Sequence, residues 1–139
     1  MRSHGRHGRT QHIESAKHNR FVARLIDTKH DQCRGWVAVA FFYVVVQLVE
    51  AWMAGQRIHN RDHKKRLREI RDLLGSEWEE HYDRIYGRSR AYRYECEQPT
   101  EAQLADLLQR SVRPFVEHLC AQLMGSTEAA NALLAELAP

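Results

Sequence analysis

Residues 36–54 read WVAVAFFYVVVQLVEAWMA, and the interpretation of this stretch decides the fold. From Gly35 to Gln56 the single charged side chain is Glu50, in a chain otherwise crowded with arginine and histidine. A run of roughly 20 apolar residues is long enough to cross a bilayer. The same run suits a helix buried on all sides at the centre of a bundle. Gln47 and Glu50 favour the second interpretation, because an ionised carboxylate deep in hydrocarbon costs at least about 2.5 kcal/mol. The expectation is a central helix over about 33–54, covered by other helices and outside any membrane.

Composition agrees. A chain of 139 residues, 43% hydrophobic and 28% charged, is long enough for one globular domain with a real core. The formal charge is +3, from 21 basic against 18 acidic residues, with a bias toward arginine. Arginine forks onto phosphate and carboxylate better than lysine does, although so small a net charge does not by itself imply nucleic acid. Cys33, Cys96 and Cys120 are widely separated, with no Cys-x-x-Cys pair to suggest zinc or redox chemistry. That usage suits a reduced cytoplasm, and the N-terminus lacks the apolar stretch of a secretory signal. No metal or other cofactor is expected.

Outward from the central segment, the chain reads as helices. Residues 1–10 form an Arg/His/Gly-rich arm expected to be flexible, and 11–139 a single helical-bundle domain. Ile13, Ala16, Val22, Leu25 and Ile26 give an amphipathic helix over about 11–31, and Gly55 punctuates the end of the central helix. Leu67, Ile70, Leu73 and Leu74 recur at helical steps up to Gly75. Ser76 with Glu79 reads as a capping box opening a helix with Trp78, Tyr82, Ile85 and Tyr92 on one face. Thr100 with Gln103 repeats that signature before a long stripe from Leu104 to Leu123, expected to kink at Pro114. A short Ala/Leu helix over about 127–138 closes the chain. No segment alternates with a period of two, so the fold class is all-α, a bundle of five to six helices.

The polar residues inside these helices need another explanation. Tyr43, Gln47 and Glu50, spaced four and three apart, line one stripe of the most apolar helix. Tyr86, Arg90 and Arg93 repeat that spacing on a later helix, so the expected partner of Glu50 is Arg90 or Arg93, since a buried carboxylate needs a cation. Such a network is either an ion pair that fixes helix register or a site for a phosphate or nucleotide.

The segments GWVAVAFFYVVVQLVEAWMA, DHKKR and HYDRIYGRSRAYRY resemble a group of small bacterial HEPN-domain proteins. The match runs from about Lys17 to Tyr94, with Phe42, Tyr43, Glu50, His63, Arg66, Tyr82, Tyr86, Ser89, Arg90, Arg93 and Tyr94 at corresponding places. Gln47 stands where the group has histidine. The resemblance implies a helical bundle that dimerises. It also implies either a module binding RNA, a nucleotide or a protein partner encoded nearby, in a bacterial defence or toxin–antitoxin setting, or a metal-independent ribonuclease. The nuclease signature is an arginine followed after four to six residues by a histidine at a dimer cleft. His moves a proton near neutral pH while Arg stabilises the charged phosphorane. Arg113 with His118 fits that spacing, as do Arg57 with His63 and Arg24 with His30. The candidate catalytic residues are therefore His63, Arg113 and His118. Pro114 directly follows Arg113 where the signature prefers a polar residue, which favours binding over cleavage. Arg88, Arg90 and Arg93, interleaved with Tyr86, Tyr92 and Tyr94, would combine phosphate contacts with stacking on bases. The long C-terminal helix is the expected homodimer surface.

Overall fold

A computed structural model describes residues 8–26, 29–95 and 97–124. The first seven residues of the expected arm and the expected helix over 127–138 lie outside them. The described residues form helices and no strand: α1 (Arg9–Arg24), α2 (Asp31–Ala54), α3 (His63–Leu73), α4 (Ser76–Tyr94), α5 (Glu101–Leu107), a π-helical turn (Leu108–Val112) and α6 (Arg113–Met124).

The apolar run becomes the centre of an all-α bundle. Val44, Val45, Leu48, Val49, Ala51 and Met53 are wholly buried, with α1, α4, α5 and α6 packed around α2 and α3 packed on α4. By length and composition Gln32–Ala54 is the one helix among the described residues that passes for a membrane span. Its own chain covers most of it, as befits the core helix of a bundle. Helix α1 begins at Arg9, inside the expected arm, and ends at Arg24, short of the expected boundary. There the amides of Leu25 and Ile26 turn back onto the carbonyls of Val22 and Ala23 at 3.1 and 3.3 Å, the tightened last turn that uses up terminal acceptors.

Several connections depart from expectation. Gly55 follows α2 in right-handed helical geometry, and the left-handed residue is Arg57, at φ 61°. The chain reverses there through Ile58 N–H to Met53 O at 2.9 Å. Asp62 caps α3, its carboxylate accepting from Lys65 N–H at 2.8 Å. The capping box at Ser76 does not form. Gly75, at φ 115°, ends α3 and starts α4 at once, so Ser76 is already inside the helix and no side chain caps it. The box at Thr100 and Gln103 does form, with both reciprocal hydrogen bonds.

Near the start of α2 the backbone passes close to the end of α4. A Cβ on Gly35 would lie 3.1 Å from both Tyr92 Cβ and Gln98 Oε1. Arg34, 5% exposed, donates to Pro99 O at 2.9 Å and fixes this junction. The apolar stripe of the last helices packs inside the chain, where Val112, Phe115, Val116, Leu119 and Cys120 are fully buried. In place of a sharp kink at Pro114, the helix widens into the π turn just before it. Proline offers no N–H and its ring crowds the carbonyl four residues back, and the wider turn moves that carbonyl away.

Candidate functional site

Glu50 sits at the polar centre of the molecule, 5% exposed. Its Oε1 accepts from Arg66 Nε at 2.8 Å and from Asn60 Nδ2 at 3.1 Å, while Oε2 accepts from the Asn60 backbone N–H at 3.2 Å. The expected pairing with Arg90 or Arg93 is therefore incorrect. Helix α4 runs antiparallel to α2, bringing Arg93 level with Tyr43, seven residues before Glu50 and about 10 Å along the helix axis. The connection after α2 instead folds Asn60 and the first turn of α3 over the carboxylate.

The network continues from Arg66. Its Nη1 donates to the hydroxyl of fully buried Tyr82 at 3.3 Å. Burial works against the Arg66 charge, but Tyr82 and Glu50 outweigh it and raise its pKa above the ordinary arginine value. Burial raises the Tyr82 phenol. His63, half-buried in the first turn of α3, lies flat on Tyr86 with centroids 3.4 Å apart and planes 13° apart. It also stacks on Tyr82 at 5.4 Å, with Nδ1 3.4 Å from the Tyr82 hydroxyl. Desolvation lowers its pKa below the usual imidazole value; Asp83 and Asp62 oppose that and Arg66 adds to it. His63 thus favours the neutral form, able to accept a proton.

Farther along α4 lies a second group. Arg93 donates from Nη1 to the Tyr43 hydroxyl at 2.6 Å, and its guanidinium carbon stands 4.4 Å from the Tyr94 ring centroid and 5.8 Å from that of Tyr43. Arg90 stands 5.5 Å from the same Tyr94 ring. Tyr94 is 62% exposed, with both guanidinium groups over its ring. Tyr92 and Ser89 are buried, and Tyr86 is taken up by His63, so none of these three joins that surface.

Over Glu50 opens a cavity of about 490 Å³, lined by residues of α1, α2, the following connection and α3. Gln47 lies on its wall and meets His12 of α1, Nδ1 to Oε1 at 2.6 Å. Lys65 is anchored to the His59 carbonyl at 3.0 Å. The sequence reading missed His12, Asn60, Arg61 and Lys65 here. The available signal was the density of polar and basic residues in 56–65, directly after the apolar helix.

Arg113 and His118 do not meet. Residues five apart on a helix point roughly 140° from each other. Arg113 bonds Gln109 at 2.9 Å, whereas His118 stacks on Trp78 at 4.2 Å, where burial lowers its pKa. Neither adjoins the His63 cluster through any contact above. Burial pushes the Cys120 thiol up to about 11, an unreactive core residue. Among the described residues no three His, Cys, Asp or Glu side chains gather as a metal would require. The chain matches no family model, no curated protein and no solved structure.

Proposed function

We propose that the protein is a HEPN-like module that binds single-stranded RNA along the α4 face without cutting it, in a bacterial defence or toxin–antitoxin setting. The observation that carries this reading is the Arg90–Tyr94–Arg93–Tyr43 ladder, in which guanidinium groups flank an exposed aromatic ring. Phosphates pair with the guanidinium groups, and a splayed base stacks on Tyr94. Anisotropy titrations with a fluorescent single-stranded RNA test it. Affinity falls as salt rises, Arg90→Ala lessens that salt dependence, and Tyr94→Ala weakens binding by about 1–3 kcal/mol. Wild-type affinity retained in both variants refutes the assignment.

RNA cleavage is supported by one feature, the neutral imidazole of His63 beside the Arg66–Tyr82 pair. Incubation with total RNA in EDTA separates the two readings. RNA intact after incubation supports binding alone, whereas cleavage that vanishes in His63→Ala establishes the nuclease.

A further inference from the structure

One side of α2 is left open near its start. Trp36, Ala40 and Tyr43 follow one another at steps of four and three, so they share a stripe of the helix. They form the floor of a groove of about 620 Å³, walled by Val22 of α1 and by Leu25 and Ile26 just after it. Val22 is 38% exposed, Trp36 53% and Leu25 71%. Large apolar side chains exposed together mark a surface that a partner covers, and a groove between two helical ridges suits a third helix.

The charge at the groove narrows what fills it. No carboxylate is among its described lining residues. Arg93 donates to the Tyr43 hydroxyl at 2.6 Å, and exposed Arg90 stands beside it across the Tyr94 ring. The complement is a helix that is apolar on one face and acidic at its edge. The chain carries such a sequence. Residues 127–138 read TEAANALLAELA, with Ala130, Leu133, Leu134 and Leu137 at the i, i+3, i+4 and i+7 positions of one stripe, Glu136 at its edge, and neither lysine nor arginine.

As a helix, that segment cannot reach the groove of its own chain. The last helices leave the end of α4 and run back toward its start, where His118 stacks on Trp78. Trp78 and Arg93 are 15 residues apart on α4, about 22 Å. Met124 lies six residues past His118, about 9 Å farther on, so a return to the level of Arg93 takes about 31 Å. From Met124 to Leu133, three extended residues followed by six helical ones cover about 20 Å at most. A second copy has no such limit.

We infer that the groove receives residues 127–138 of a second copy of this chain, with the leucine stripe on its apolar floor and Glu136 on the Arg93 side. The docking does not depend on the α4 face binding RNA.

Light scattering of the full chain tests the assignment, and twice the chain mass is expected. Leu133→Glu/Leu137→Glu in the segment and Val22→Glu/Leu25→Glu at exposed positions of the groove each give the single-chain mass, with the unfolding midpoint unchanged. An equal mixture of the two variants regains the doubled mass, because one intact segment meets one intact groove. A synthetic peptide of residues 125–139, added to the isotope-labelled segment variant, shifts amides of residues 19–26 and 33–43. The peptide carrying Leu137→Ala binds about tenfold or more weakly, and the one carrying Glu136→Lys up to about fivefold more weakly. These peptide changes leave the protein unaltered, so they read the contact even where a groove variant fails to fold. A doubled mass that survives the segment variant but not the groove variant means that two grooves pack on each other and overturns the assignment. So does a full chain of single mass, a mixture that stays at single mass, or peptide shifts that fall elsewhere or do not occur.

Discussion

Arg66 Nε reaches Glu50 Oε1 at 2.8 Å across 16 residues of chain, and both side chains are about nine-tenths buried. Two charges withdrawn from water in this way tolerate each other and little else. Removing one partner strands the other, so Glu50→Ala and Arg66→Ala are each expected to cost roughly 3–5 kcal/mol in urea unfolding. The double replacement Glu50→Ala/Arg66→Ala is expected to cost less than the sum of the two single losses, because it removes both charges together. Strict additivity in that cycle would disprove the coupling.

Two histidines make the fold sensitive to acid. His63 and His118 both have folded pKa values below the unfolded 6.5, each through burial first. Above about pH 6.5 both states are neutral and the full stability is present. Below it the unfolded chain takes up protons that the folded chain resists, so stability falls as the pH falls. His63→Phe keeps an aromatic ring against Tyr86 but cannot titrate. It is expected to flatten the loss measured between about pH 7 and pH 5, and an unchanged slope would remove His63 from the account.

Two turn residues should respond differently. Gly75 holds φ at 115° with open space where a Cβ would go, so Gly75→Ala costs backbone strain alone, about 1–3 kcal/mol. Arg57 occupies φ 61° with a side chain attached. Arg57→Gly relieves about 1 kcal/mol or more of that strain, less what glycine gives back as unfolded-chain entropy. Thermal unfolding of the two variants is expected to move the midpoint down for the first and not for the second.

The seam between α1 and α2 depends on small residues. Ala16 has no exposed surface and Ala23 has 6%, which lets the helices approach closely. Ala16→Leu forces extra methyl groups into that seam and is expected to cost about 1–3 kcal/mol. An unperturbed unfolding midpoint would mean that α1 is only loosely held on α2.

The parts of this fold that were legible in the sequence are those written in local pattern. Val44, Val45, Leu48 and Val49 announce a helix covered on all sides, and Thr100 with Gln103 announces a helix start, because both signals lie within a turn or two. The Glu50 partner was not legible. Helical spacing matches Arg90 and Arg93 to the Glu50 stripe as well as it matches any cation, and which one arrives depends on how the connection at Arg57 folds back. Arg57 at positive φ carries no sequence mark, since the glycine that would advertise such a turn sits two residues earlier. The His12–Gln47 contact was hidden for the same reason, as it joins helices 35 residues apart.

The π turn at Leu108–Val112 has a consequence for chain length. Buried positions along this rod fall in two rows with a strict four-residue step, 104-108-112-116-120 and 107-111-115-119-123. On a regular α-helix each such step overshoots a full turn by about 40°, so the rows would wind away from α2 within a few turns. The widened turn resets the phase, and so the rod carries one residue more than a regular helix facing the same way would need. Deleting Gln109 is expected to return that residue and leave an ordinary helix with both rows still in register. Pro114, however, would then press on the carbonyl behind it at a cost of about 3 kcal/mol. The shortened chain should therefore fold well only with Pro114→Ala beside the deletion, which makes the proline and the surplus residue a single coupled unit of this sequence.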